Sequence, residues 1–227
     1  MALVSTFELL VKPIAPPGSG PAAVARTVVQ GYFLTIANTK NIPVRVRLQF
    51  TATTPNLDIT NTVTIRDVLG NNIFGDLVPT ADPRKLTYNL SIPAHDTALV
   101  SLLPDVSQPK VVAEKSLEIR GYVEISRASF IGPSYELLLT PEHRGTFLPD
   151  NINAPIPDFD QLAYALPTAN PGNLYKLNSV LVPDLPLDVD NGQIPDATVP
   201  SGEMQQILGM IAQRIDEIEQ RMTDVRS

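Results

Sequence analysis

Apolar and polar residues alternate with a period of two along most of the first 145 residues. In IPVRVRLQFT, residues 42–51, every second side chain from Val44 onward is apolar, and Arg45, Arg47 and Gln49 lie between them. The stretches KLTYNLSIP, LEIRGYVEIS and SYELLLT alternate in the same way. This pattern is typical of β-strands that bury one face and expose the other.

Turn-forming residues separate the alternating runs, at TPNLD, LGNN, PAHDT and IGPS. Together the runs give about nine candidate strands, each short and one-sided. Antiparallel sheets that pack face to face satisfy this pattern. The sequence therefore predicts an all-β fold, an antiparallel β-sandwich over residues 1–145. Its strand order is left open between an Ig-like and a jelly-roll arrangement.

The pattern changes in residues 146–200, where nine prolines interrupt any regular element. Large apolar residues nevertheless recur at about one position in three, which is too many for a solvated linker. Burying them roughly offsets the entropy lost on ordering the chain, at about 1–2 kcal/mol per residue. We therefore expect an extended, Pro-rich arm that lies against a surface, either its own sandwich or that of a neighbour.

A third pattern occupies residues 201–227, which the sequence predicts to be a helix capped by Ser201. Its large apolar residues are spaced alternately by four and three, as in the a/d seam of a coiled coil. They are Met204, Leu208, Ile211, Ile215, Ile218, Met222 and Val225.

The residue types in this seam favour self-association of three or more helices. Ile211 and Ile218 take d positions and Ile215 takes an a position, a combination that disfavours parallel dimers. Arg214 at g can pair with Glu219 at e of the next helix. The alternative is an amphipathic helix packed on its own sandwich, but such helices usually have a wider apolar stripe.

Charge is distributed unevenly along the chain, which has a net charge of −7. Residues 145–200 contain one lysine and seven aspartates, whereas residues 1–144 are nearly neutral. Nucleic-acid binding is not expected, because phosphate recognition needs a concentrated positive field. Arg45 and Arg47 are candidate docking residues for the acidic arm, for instance for Asp158 and Asp160 or for Asp188 and Asp190.

Candidate chemistry is sparse, and we expect no catalytic, metal or cofactor site. The chain has no cysteine and two histidines. His95 follows a strand in a turn, and His143 is flanked by Glu142 and Arg144, which point to the other side of an extended chain. DVDNG at 188–192 resembles a calcium loop, but its glycine arrives early and no glutamate follows at the twelfth position.

The sequence also predicts a location and a function. The first residues, MALVSTFELLVKPIAPP, lack a basic start and contain Glu8, so we do not expect a signal peptide. No window is long and apolar enough to cross a membrane. We expect a cytoplasmic protein or one within an assembled particle. Its predicted role is a non-enzymatic structural subunit that self-associates, with a trimer favoured, in a larger particle, shell or appendage that can include other subunits. The alternative is a glycan- or peptide-binding module whose helix packs on its own domain.

Overall fold

The computed structural model describes residues 1–15, 18–20, 25–52, 55–128, 134–149, 155 and 158–178, and these residues form twelve β-strands. They are β1 (Ala2–Pro13), β2 (Thr27–Asn38), β3 (Val44–Ala52), β4 (Thr62–Val68), β5 (Asn71–Gly75), β6 (Val78–Pro79), β7 (Lys85–Ile92), β8 (Asp96–Pro104), β9 (Leu117–Arg127), β10 (Tyr135–Phe147), β11 (Asp160–Ala165) and β12 (Leu174–Leu177). One short helix, α1 (Pro109–Glu114), connects β8 to β9.

All the described strands belong to one curled antiparallel sheet. Its order is β5-β4-β8-β2-β1-β9-β3-β7-β6, and β10 lies beside β2 with β11 and β12 on its other edge. The prediction of a predominantly β, antiparallel fold is confirmed.

The sheet branches at β2, because one edge of this strand pairs with two strands in turn. Residues 27–30 of this strand pair with β1, and residues 32–38 pair with β8. The opposite edge pairs with β10 along residues 28–38. Because β1 and β8 share one edge of β2 and diverge from it, the sheet bends around the core at this point.

The predicted alternation places the buried residues correctly. On β3, Val44, Val46, Leu48 and Phe50 are fully buried. The ring of Phe50 lies 5.8 Å from that of Phe7 on β1, measured between centroids, in an edge-to-face arrangement. One core cluster joins side chains from strands throughout the sheet.

The two ends of the sheet come together between β5 and β6. These strands lie at opposite ends of the sheet order, yet only two residues, Asp76 and Leu77, separate them along the chain. Gly75 ends β5 against Tyr88 of β7, and a Cβ at this glycine would lie 2.7 Å from the tyrosine hydroxyl. A larger residue at this position would therefore require the Tyr88 ring to shift.

Residues 158–178, within the predicted arm, lie against the sheet of their own chain. Strands β12 and β11 pair with successive parts of β10, at residues 135–138 and 142–147. Tyr175 is buried, and its hydroxyl donates to the carbonyl of Val4 at 3.1 Å. The predicted helix over 201–227 and the rest of the arm after Asn178 lie outside the described residues. No described helix has the length and apolar character needed to span a bilayer.

Candidate functional site

Some of the candidate residues predicted from the sequence lie outside the described residues, and the others can be located in the structure. The whole predicted seam with Arg214 and Glu219, and the DVDNG motif, lie beyond the described part of the chain. Arg45 and Arg47 lie on β3 with their side chains exposed. His95 occupies the turn between β7 and β8 with φ of 55°, and its N–H donates to the carbonyl of Lys40 at 3.0 Å.

His143 lies on β10 where β1 separates from β2. The last described pair between those strands is Leu10 with Gln30. The next backbone amide of β1 that points towards β2 and β10 belongs to Glu8. That amide donates to Nε2 of His143 at 3.0 Å. The imidazole therefore supplies the acceptor that the departing strand no longer receives from a neighbouring backbone.

This hydrogen bond also determines the tautomer of His143. Because Nε2 accepts, the proton of the neutral imidazole is on Nδ1, which donates. Nδ1 lies 2.9 Å from the hydroxyl of Tyr164 on β11, and that hydroxyl donates to Gln30 Oε1 at 3.3 Å. The amide of Gln30 in turn donates to Glu8 Oε2 at 3.4 Å. We call these four residues, Glu8, Gln30, His143 and Tyr164, the fork.

The environment keeps both titratable rings of the fork uncharged. Burial lowers the pKa of His143, against the opposing effect of the Glu8 carboxylate. Burial and the same carboxylate raise the pKa of Tyr164. Because both nitrogens of His143 are engaged by protein groups, the ring presents neither a free base nor a free acid to solvent.

The neighbours of His143 in the sequence do not join it. Glu142 and Arg144 alternate to the other face of β10 and pair with each other at 2.7 Å. The guanidinium of Arg144 also lies 4.7 Å from the ring centroid of Phe33. The predicted separation of the Glu-His-Arg sequence is therefore confirmed.

A cleft of 370 Å³ opens beside the fork, and its charged groups neutralise one another. Glu8 accepts from Arg120 Nε at 2.8 Å. Lys12 and Arg120 both pair with Glu118. With its charges matched in this way, the cleft has no excess of either sign with which to attract a charged ligand.

Arg26, just before β2, holds the end of β10 and the start of β11 together. Its side chain is 18% exposed, and Nη1 pairs with Asp160 at 2.5 Å. The same guanidinium donates to the carbonyls of Phe147, Leu148 and Asp158 at 3.2, 3.2 and 2.7 Å. This role of Arg26 has no local signal in the sequence, because its partners are more than a hundred residues away.

Arg26 contacts two of the aspartates that the predicted arm docking names. Asp158 and Asp160 face Arg26, whereas Arg47 donates through Nε to Asn89 Oδ1 at 3.0 Å. Arg26 thus takes the two carboxylates that were predicted as partners for Arg45 and Arg47. Docking of Asp188 and Asp190 stays a prediction, since both lie outside the described residues.

A second, larger groove of 600 Å³ lies where β1 begins and β9 and β12 end. We call it the rim groove. Its charged lining residues are Arg47, Arg127 and Lys176, and no carboxylate is among the described residues that line it. Met1 and Ala2 contribute apolar surface. The lining of the rim groove therefore includes both cationic and apolar groups.

Comparison of the chain with protein-family models, curated proteins and solved structures yields no match. The function of the chain is accordingly inferred from its own residues and their geometry.

Proposed function

We propose that this chain is a structural subunit whose copies associate through the helix predicted over residues 201–227, with three copies favoured. The observation that carries the proposal is the a/d seam of seven large apolar residues from Met204 to Val225. A seam of this size left in water exceeds the apolar patch that monomers usually tolerate. Burial between copies removes it from water without any further element.

The described body supports the proposal because its core is enclosed by its own strands. Side chains from β1, β2, β3, β10 and β12 meet in one buried cluster, and Phe7, Leu48 and Leu137 are among its least exposed members. The body therefore does not depend on another apolar helix to complete this cluster.

The proposal includes a finer description of the fold, in which the two halves of the curled sheet face each other as a β-sandwich of Ig-like or jelly-roll type. The shared core supports this description, since β3 and β7 from one part of the sheet and β8 from another contribute to the same cluster. The arm and helix extend this sandwich into an assembly unit, within a particle, shell or appendage.

Replacing two seam residues tests the proposal in the full chain. We expect the unmodified protein to have a solution mass of about 74 kDa, three times the 24.7 kDa of one copy. Ile211→Lys with Ile218→Lys should reduce the mass to that of one copy, because a buried unpaired ammonium is strongly disfavoured. Light scattering after size exclusion measures both masses.

The matched control is Gln213→Lys with Gln220→Lys, which adds the same charge at f positions of the same heptads, away from the seam. This variant should keep the mass of the unmodified protein. A single-copy mass for the unmodified chain would contradict the proposal and favour a glycan- or peptide-binding module instead. An assembled mass for the seam variant would place the association elsewhere in the chain.

No catalytic role is proposed. The histidine with an altered pKa, His143, has both nitrogens bound to protein groups, and its flanking Glu142 and Arg144 point away. No cofactor, metal, nucleic acid or membrane insertion is part of the proposed function, which needs other copies of this chain and neighbouring subunits of the assembly.

A further inference from the structure

The rim groove differs from the other two described grooves in the sign of its charges. The cleft at the fork contains Glu8 and Glu118 with Lys12 and Arg120, and the groove beside α1 also contains both signs. The rim groove contains Arg47, Arg127 and Lys176 and no described carboxylate. Two carboxylates lie close to these cations. Glu136, opposite Lys176, pairs with Lys40, and Glu124 accepts from Gln49. The cations of the groove outnumber these carboxylates, and the excess positive charge favours a ligand with negative charge.

The three cations come from different strands that converge at one end of the body. Arg47 is on β3, Arg127 ends β9, and Lys176 is on β12. The register places Arg47 beside Ser126, so the β3 and β9 contributions are adjacent. The guanidinium of Arg127 lies 5.0 Å from the ring centroid of Tyr135, a cation–π contact that positions its side chain at the groove.

The chain contains one segment whose pattern matches this groove. Residues 184–190 read DLPLDVD. In an extended chain, Asp184, Asp188 and Asp190 would project to one side, and Leu185, Leu187 and Val189 to the other. One side would meet the cations of the groove and the other the apolar surface of Met1 and Ala2.

We propose that the rim groove binds the acidic segment 184–190 of a second copy of this chain. This inference rests on the proposed assembly, which brings copies of the segment to a high local concentration around each body. If each copy places its arm in the groove of the next copy around the symmetry axis, every groove has one occupant. Such head-to-tail contacts form a closed ring. The volume of 600 Å³ lies within the range of ligand clefts.

Charge reversal on each side of the contact, in the full chain, tests the exchange. The groove variant carries Arg47→Glu with Lys176→Glu, and the arm variant carries Asp188→Lys with Asp190→Lys. The readout is cleavage of residues 179–200 at low salt by thermolysin, which cuts before large apolar residues. We expect each variant alone to be cleaved about tenfold faster than the unmodified protein, because like charges now oppose each other.

Mixing the two variants decides between exchange and any contact within one chain. After joint denaturation and refolding, an acidic groove meets a basic arm only where copies of different type are neighbours. We expect a fraction of both segments to regain the slow rate, identified by isotope labelling of one variant. Failure of the mixture to regain protection would overturn the proposal, since a contact within one chain cannot be restored by mixing.

A control and a second measurement complete the test. Lys110→Glu with Lys115→Glu makes the same charge change at α1 and should leave the cleavage rate unchanged; faster cleavage there would show a general charge effect and overturn the proposal. Solution mass is measured on the same samples. An assembled mass without protection in the unmodified protein overturns the groove proposal alone, whereas a single-copy mass overturns the assembly and, with it, the exchange.

Discussion

His143 illustrates how one side chain can replace a missing backbone partner. Where β1 leaves β2, its amide at Glu8 would be buried without an acceptor, at a cost of about 1–3 kcal/mol. Nε2 of His143 accepts that hydrogen bond, and Nδ1 donates to Tyr164. Both bonds require the neutral ring with its proton on Nδ1, so the fork depends on the protonation state of His143.

Stability should therefore depend on pH through His143. Because burial lowers its pKa in the folded chain, the unfolded chain takes up the proton first as pH falls below about 6.5. The contribution to the free energy of unfolding is complete above that pH and is lost as pH falls towards the lower, folded pKa. His143→Gln, which keeps an acceptor, should reduce this slope by at most about 1.4 kcal/mol per pH unit.

Urea denaturation between pH 5 and 8, at about half-unit steps, measures the slope in both proteins. The informative quantity is the difference between unmodified and variant chains, because titration of carboxylates is common to both. Parallel curves across this window would show that protonation of His143 does not change the free energy of unfolding. That result would contradict the dependence of the fork on a neutral ring.

At the scale of elements, β10 organises the edge of the sheet. One of its edges pairs with β2 along residues 137–147, and its other edge pairs first with β12 and then with β11. Strand β11 is mostly exposed, so its position depends on hydrogen bonds and on charged contacts more than on burial. Arg26 supplies several of these contacts at once.

Removing the guanidinium should loosen β11 selectively. In Arg26→Gln, we expect amides of residues 160–165 to exchange about tenfold faster, a loss of roughly 1.4 kcal/mol in local opening free energy. The estimate is kept low because Asp160 is 62% exposed and the ion pair is screened by solvent. Amides between β2 and β8 should exchange at an unchanged rate. Hydrogen exchange read by mass spectrometry measures both sets.

The matched control is Arg84→Gln, since Arg84 binds Asp82 two residues away in one turn. It removes the same group without touching β10 or β11. Equal protection of β11 in both variants would show that strand pairing alone holds β11.

At the scale of the whole molecule, a single core joins distant parts of the sheet. Phe7 on β1 contacts the rings of Tyr32 on β2 and Phe50 on β3, with centroids 6.1 and 5.8 Å away. The chain passes from β5 to β6 across the two ends of the sheet, where Gly75 lies against Tyr88. Packing at the centre should therefore affect all strands together.

Phe7→Ala tests this coupling. We expect a loss of about 3–5 kcal/mol in the free energy of unfolding, because the ring is 1% exposed and its removal leaves a cavity. Circular dichroism and tyrosine fluorescence should report the same, shifted urea midpoint. Leu3→Ala on the same strand, where the side chain is 48% exposed, should change stability by about 0.5 kcal/mol or less. Separate midpoints for the two probes would contradict a single core.

The local features of this protein follow from its sequence alone. Alternation identified β3, β7, β9 and β10 and the residues they bury, because side chains in a strand point to opposite faces in turn. It also showed the acidic, Pro-rich composition after residue 145 and the heptads after residue 201, which are periodic within a few turns of chain. Neither signal needs any knowledge of distant contacts.

Contacts between residues far apart in the chain are visible only in the folded structure. The branching of β2, the hydrogen bond from Glu8 to His143, the contacts of Arg26 with β11 and the cations of the rim groove all join residues far apart in the chain. Short strands such as β11 and β12 carry too few residues for a periodic signal, and they form because β10 offers an edge to pair with. Pairing and charge placement follow from the path of the whole chain, and a local pattern does not contain that path.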